Sequence, residues 1–101
     1  MAYEAFFTST FEREYDKALG YLVEDLKSPA SAAKLMADTE KAVALLQENP
    51  ELASVSSKPA LGELALREWL VNKYTIVYRV EGERLYFVHF FHQRQDFERL
   101  I

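Results

Sequence analysis

"VYRVEGERLYFVHFFHQRQDF", residues 77–97, decides how this chain is read. Gly82 lies between two runs rich in Val, Tyr, Leu and Phe, which is the pattern of two strands joined by a bend. Upstream, residues 64–71 form a third such run, separated from residues 74–80 by Asn72 and Lys73. Asn tolerates positive φ, so a two-residue link starting with Asn suits a tight hairpin. The spacing therefore predicts a three-stranded antiparallel meander over residues 64–71, 74–80 and 84–92. With two-residue turns at both bends, side chains alternate without interruption. One face then carries Ala65, Arg67, Trp69, Val71, Tyr74, Ile76, Tyr78, Val80, Leu85, Phe87, His89 and Phe91. The other carries Leu66, Glu68, Leu70, Thr75, Val77, Arg79, Tyr86, Val88, Phe90 and His92. The first set holds more large apolar groups and is placed against the rest of the molecule. The second, mixed set is expected to form an open platform that a partner covers.

The N-terminal half has a different period. Residues 2–8 read as a short strand. Ser9, with Glu12 three residues on, has the form of a capping box. Phe11, Tyr15, Ala18, Leu19, Leu22, Val23 and Leu26 then recur at helical spacing, which predicts a helix to about residue 27. Gly20 interrupts it and suggests close packing. Ser28 and Pro29 suit the start of a second helix. Its stripe is Ala32, Leu35, Met36, Thr39, Ala42, Val43 and Leu46, and "ENP" at residues 48–50 ends it. The short link between the helices implies an antiparallel hairpin. Residues 51–62 show no period and read as a loop. The expected fold is α+β: a strand, a helical hairpin, then the meander, in one domain over residues 1–101.

Composition narrows the function. The chain has 101 residues, half of them hydrophobic, and no cysteine, so a modest core forms without disulfides or thiolate metal sites. No apolar run approaches ~18 residues, and the N-terminus lacks the pattern of a signal peptide. A cytoplasmic location is expected. The formal charge of -4 disfavours general binding to phosphate backbones. The cations gather in the C-terminal part, at Arg67, Lys73, Arg79, Arg84, Arg94 and Arg99. Two histidines without an adjacent acidic cluster make no metal site, and no cofactor is expected.

The order of elements resembles the RelE/ParE superfamily, the toxins of bacterial type II toxin–antitoxin modules, which include plasmid-stabilisation proteins. "SPASAAKLMADTEKAVALLQENPEL" is similar to the family's second helix. "LREWLVNKYTIVYRVEGERLYFVHFFHQRQDF" is similar to its closing hairpins, with an Arg before the meander, a Tyr-Arg-Val strand, and a last strand ending on His and Arg. The resemblance implies a cognate antitoxin as partner. It implies one of two targets, DNA gyrase in the ParE branch or messenger RNA on the ribosome in the RelE branch. A second copy of the chain is a further candidate partner.

On the RNA-cleaving reading, an mRNA interferase, His92 would exchange protons at the 2′-hydroxyl, because imidazole titrates near neutral pH. Arg79 and Arg94 would hold the phosphate through paired N–H groups. Each has an ordinary alternative: His92 as a strand-end side chain, the arginines in surface ion pairs. Arg67 is expected beneath the helices, paired to Asp38 or Glu40. Asp96 would orient His92 or cap a final turn, "DFERLI". Glu68, Tyr86 and Phe90 are expected as partner contacts on the open face. His89 reads as a hydrogen-bonded core histidine. The basic pair of the RNA-cleaving relatives falls on Leu66 and Glu68, and a further Arg falls on Thr75. The loss of these cations favours a ParE-like protein that acts by binding, with the endoribonuclease as the alternative.

Overall fold

The computed structural model describes residues 2–55 and 65–93. The order is β1 (Glu4–Phe7), α1 (Ser9–Gly20), a π-helical segment (Tyr21–Asp25), α2 (Pro29–Glu48), β2 (Arg67–Val71), β3 (Tyr74–Glu81) and β4 (Arg84–His92). The expected α+β architecture is present. The strands form one sheet in the order β1-β4-β3-β2. The meander β2–β3–β4 is antiparallel, and β1 joins its far edge parallel to β4. Both turns have the expected chemistry. Asn72 has φ 55 and Gly82 has φ 57, the left-handed values that Asn and Gly accept at a tight bend.

α1 and α2 cover one sheet face. Phe11, Leu35, Ala42 and Leu46 from the helices meet Val71, Ile76, Tyr78, Leu85, Phe87 and Phe90 from the sheet in the main core. The segment after α2 is tied down by polar groups. The Tyr78 hydroxyl donates to the Pro50 carbonyl at 2.7 Å. The Tyr3 N–H donates to the Gln47 backbone carbonyl at 2.9 Å and the Gln47 side-chain amide donates to the Tyr3 carbonyl at 2.8 Å, which fixes β1 to the end of α2.

Three local expectations are corrected. The N-cap of α1 is Thr8, whose Oγ1 accepts from the Phe11 N–H at 3.1 Å, and not Ser9. The helix does not run on regularly to residue 27. It widens into a π turn, with the Leu26 N–H bonded to the Tyr21 carbonyl. That wider turn rotates the following side chains, so Val23 and Leu26, which fit the 3.6 spacing, face solvent at 42% and 54% exposure. Gly20 does not mark close packing, because a Cβ there would meet nothing within 4 Å. Its φ of -60 is ordinary helix. Gly20→Ala is therefore expected to raise stability by up to about 1 kcal/mol, read as a higher denaturant midpoint at unchanged slope.

The fourth correction bears on function. The β3–β4 register shifts between Val77, opposite His89, and Tyr78, opposite Phe87, so Val88 is the extra residue of a β-bulge. Beyond it the faces exchange. Phe90 and His92 turn toward the helices, and His89 and Phe91 turn to the opposite face. The bulge lies where β1 ends. There Thr8 donates its N–H to the Phe87 carbonyl at 3.1 Å and its hydroxyl to the Val88 carbonyl at 3.3 Å.

Candidate functional site

The second sheet face is not the open platform expected of it. At its centre Leu66, Val77 and Phe91 form a small core of their own with Val88 packed against it, and Thr75 is buried beside them. Leu70 is exposed at the β2 edge of this face, and a second accessible part lies toward the β3–β4 turn. Arg79 and Tyr86 pair across strands, and the guanidinium lies 4.7 Å from the ring centre. Tyr86 stacks on Phe6 of β1 at 5.4 Å, and Arg84 covers Phe6 at 5.8 Å. This ladder satisfies its own charges. Arg79 bonds Glu81 at 3.1 Å, and Arg84 is held more firmly protonated by its hydrogen bond to Tyr86 and by Glu4 and Glu81.

His92 lies elsewhere. It pairs with Tyr74 at the opposite end of β3 from Arg79 and meets the Tyr74 ring at 5.3 Å. Five residues of strand separate the two positions, about 17 Å, and they are on opposite faces. The fold does not bring His92 and Arg79 together on one phosphate. Arg94 and Asp96 lie outside the described residues. Phe90, expected as a partner contact, is instead 2% exposed in the main core. Glu68 is half-buried on β2. Tyr86 keeps its expected face.

Arg67 does lie under the helical layer, but its partner is not Asp38 or Glu40. Its Nη1 donates to the Ala53 carbonyl, beside Tyr78. Burial raises the Tyr78 hydroxyl pKa, and the Arg67 charge partly offsets the rise. Asp38 bonds Lys34 one turn back, which holds its carboxyl below the usual range.

Sequence reasoning gave His89 a hydrogen bond but not its partner. Glu14 Oε1 lies 3.1 Å from His89 Nδ1 and accepts the Phe90 N–H at the same distance. Here α1 takes over the edge of β4 that β1 leaves uncovered. Glu14→Ala would leave the Phe90 N–H without its acceptor and is expected to cost about 1–3 kcal/mol. Glu14→Gln, which keeps an acceptor, should cost less. Urea unfolding of both variants checks the ordering.

An apolar cleft of ≈ 450 Å³ opens between α1 and α2. Phe7, Phe11, Met36 and Val43 supply apolar surface, and Glu12, Asp16 and Glu40 supply acid. Phe7 and Met36 are 41% and 44% exposed. Tyr15 also lines it, its hydroxyl pushed up by burial and drawn partly back by the nearby Thr39 hydroxyl. The two approach without forming a hydrogen bond of good geometry, and Thr39 Oγ1 has no other partner among the described residues. No cluster of metal-ligating side chains occurs among the described residues, and none of their helices is long and apolar enough to cross a membrane. The cleft thus combines exposed apolar side chains with an acidic rim.

Residues 5–97 match the family described as ParE toxin of type II toxin-antitoxin system, parDE. No curated protein matches. Among solved structures, a chain of the chromosomal ParDE toxin–antitoxin system of P. aeruginosa superposes with a TM-score of 0.70 at 19% identity, over 90% of this chain and 96% of that one. A chain of the toxin–antitoxin complex RelBE2 from Mycobacterium tuberculosis superposes with a TM-score of 0.64 at 19% identity, over 91% and 99%.

Proposed function

Because the chain belongs to the ParE toxin family of type II toxin–antitoxin systems, we propose that it arrests growth by binding DNA gyrase, and that a cognate antitoxin silences it through the cleft between α1 and α2. The observation that carries the choice of target is the separation of His92 from Arg79, the described arginine expected to share its phosphate, along β3. Beside His92 stand only the point charges of Lys34 and Lys73 among the described cations, with no guanidinium fork. General acid–base cleavage of RNA needs a proton-transfer group and a phosphate-stabilising cation within reach of the same phosphodiester. These two groups stand about five strand residues apart, on opposite faces. Binding without chemistry makes no such demand. The acid on the cleft, Glu12, Asp16 and Glu40, calls for an antitoxin segment with apolar side chains flanked by Lys or Arg. A polar group on that segment would satisfy the Thr39 hydroxyl.

Induced expression in a host without the antitoxin tests the target. The reading expects DNA synthesis to stop first, with induction of the DNA-damage response, and His92→Ala to remain as toxic as the parent. Immediate arrest of protein synthesis, relieved by His92→Ala, would reverse the assignment in favour of ribosome-dependent cleavage. Co-expression of the neighbouring short reading frame should restore growth.

A further inference from the structure

A second cleft, ≈ 570 Å³, opens at the far end of the helical hairpin, where the π segment and the start of α2 face the β2–β3 turn. Its walls are apolar at Leu22, Leu26 and Leu35, and its polar groups include Lys34, Lys73 and His92. No acid lines it. Three other clefts carry glutamate: Glu12 and Glu40, Glu4 with Glu81 and Glu83, or Glu48 and Glu51. In a chain of net charge -4 this is a local reversal. Asp38, one turn along α2, pairs with Lys34 and approaches Asn72 at the rim, so it offsets part of the Lys34 charge without joining the lining.

The two clefts flank the same helix. Neighbouring residues of α2 belong to different ones, Leu35 to this cleft and Met36 to the acidic cleft. The exposed ridge between them carries Ala33 and Ala37, four residues apart on one face and too small to obstruct a passing chain. We propose that one antitoxin segment saddles α2. A basic, apolar stretch fills the acidic cleft, and an acidic, apolar stretch fills this one. A link of about five extended residues spans the half-turn around a helix of ordinary diameter. The proposal rests on the antitoxin reading above and adds to it the chemistry and order of the segment. The apolar walls require an inserted side chain. The described part of the cleft presents no arginine fork, so a carboxylate-bearing peptide fits it better than a nucleotide phosphate.

The test uses the whole chain, isotope-labelled, and three synthetic peptides. These are acetyl-Lys-Leu-Phe-Lys-amide, acetyl-Glu-Leu-Phe-Glu-amide, and the two joined by five Gly/Ser residues. The basic peptide should move the amide resonances of Tyr15, Met36 and Glu40. The acidic one should move those of Tyr21, Lys73 and Tyr74. The joined peptide should bind at least about tenfold tighter than either, because its second contact is intramolecular. Lys34→Glu with Lys73→Glu should weaken the acidic peptide about tenfold and leave the basic one unchanged. Both lysines are exposed, so the fold should survive, and the spectrum reports directly whether it does. The proposal fails if both peptides move the same residues, if the acidic peptide moves none of its three, or if adenosine monophosphate alone moves Lys73. Toxicity is read separately by expression, so a harmless chain would end the functional reading without deciding how the peptides partition.

Discussion

Phe87→Ala is expected to lower the folding free energy by about 3–5 kcal/mol, the largest stability loss of any substitution considered. Phe87 is fully buried, and its ring lies at the junction of three elements. It stacks on Phe7 of β1 at 5.1 Å, meets Phe11 of α1 edge-on at 6.0 Å and approaches Tyr78 of β3 at 5.6 Å. Truncation removes the transfer free energy and leaves a cavity among three other rings, which close over it only in part. Small domains hold about 5–15 kcal/mol in total, so the variant should melt far below the parent or be partly unfolded at 37 °C. Leu70→Ala is the control. Leu70 is 64% exposed on the edge strand β2, and the change should stay within about 0.5 kcal/mol. Denaturant midpoints of the two decide the matter. Equal losses would mean that the core is centred elsewhere.

Met36→Glu is expected to reduce antitoxin affinity about 100-fold, the scale of losing a central apolar anchor. The same change places a charge on the apolar part of a cleft that already carries Glu12, Asp16 and Glu40. Met36 is 44% exposed on α2, and Glu is a good helix former, so stability should change little. In cells the variant should stay toxic when the antitoxin is co-expressed at a level that silences the parent. Unchanged neutralisation at parental stability would exclude this cleft as the docking site. Glu12→Lys with Glu40→Lys reverses the charge on exposed positions only. It should weaken association mainly through its rate and its salt dependence.

Much of this architecture was legible because its signals are local. Asn72 and Gly82 each mark a bend that only a few residue types accept. Ser28, Pro29 and the "ENP" stop bound α2 on both sides. Of the expected α2 stripe, Ala32, Leu35, Thr39, Ala42 and Leu46 are buried, Val43 is half-buried and Met36 is exposed. The bulge at Val88 was not legible for an equally physical reason. Residues 85–91 are apolar or aromatic apart from His89. A strand buried on both faces has no polar alternation to betray one extra residue. That single insertion moves Phe90 and His92 from the expected platform to the helix side. The groups that meet the bulge lie far away in sequence, at Thr8 and Glu14, which complete the edge of β4 with side-chain oxygens. The π segment escaped notice similarly, because Leu22, Val23 and Leu26 fit a regular helix as well as an irregular one. The expected contacts of Arg67 failed at the partner and not at the position. A backbone carbonyl, here that of Ala53, carries no sequence signal. The acidic cleft was within reach of sequence reasoning. Glu12, Asp16 and Glu40 border apolar residues of both helical stripes and could have been read as the rim of a groove once the hairpin was drawn.

The account stands or falls on action by binding and not by cleavage, and a supercoiling reaction with purified gyrase, relaxed plasmid, ATP and the purified chain tests it most directly. The account predicts dose-dependent loss of supercoiling, equal for the parent chain and His92→Ala, and reversed by the antitoxin. Supercoiling that proceeds undisturbed at saturating protein, while the same preparation cuts ribosome-bound messenger RNA and loses that activity in His92→Ala, would contradict it.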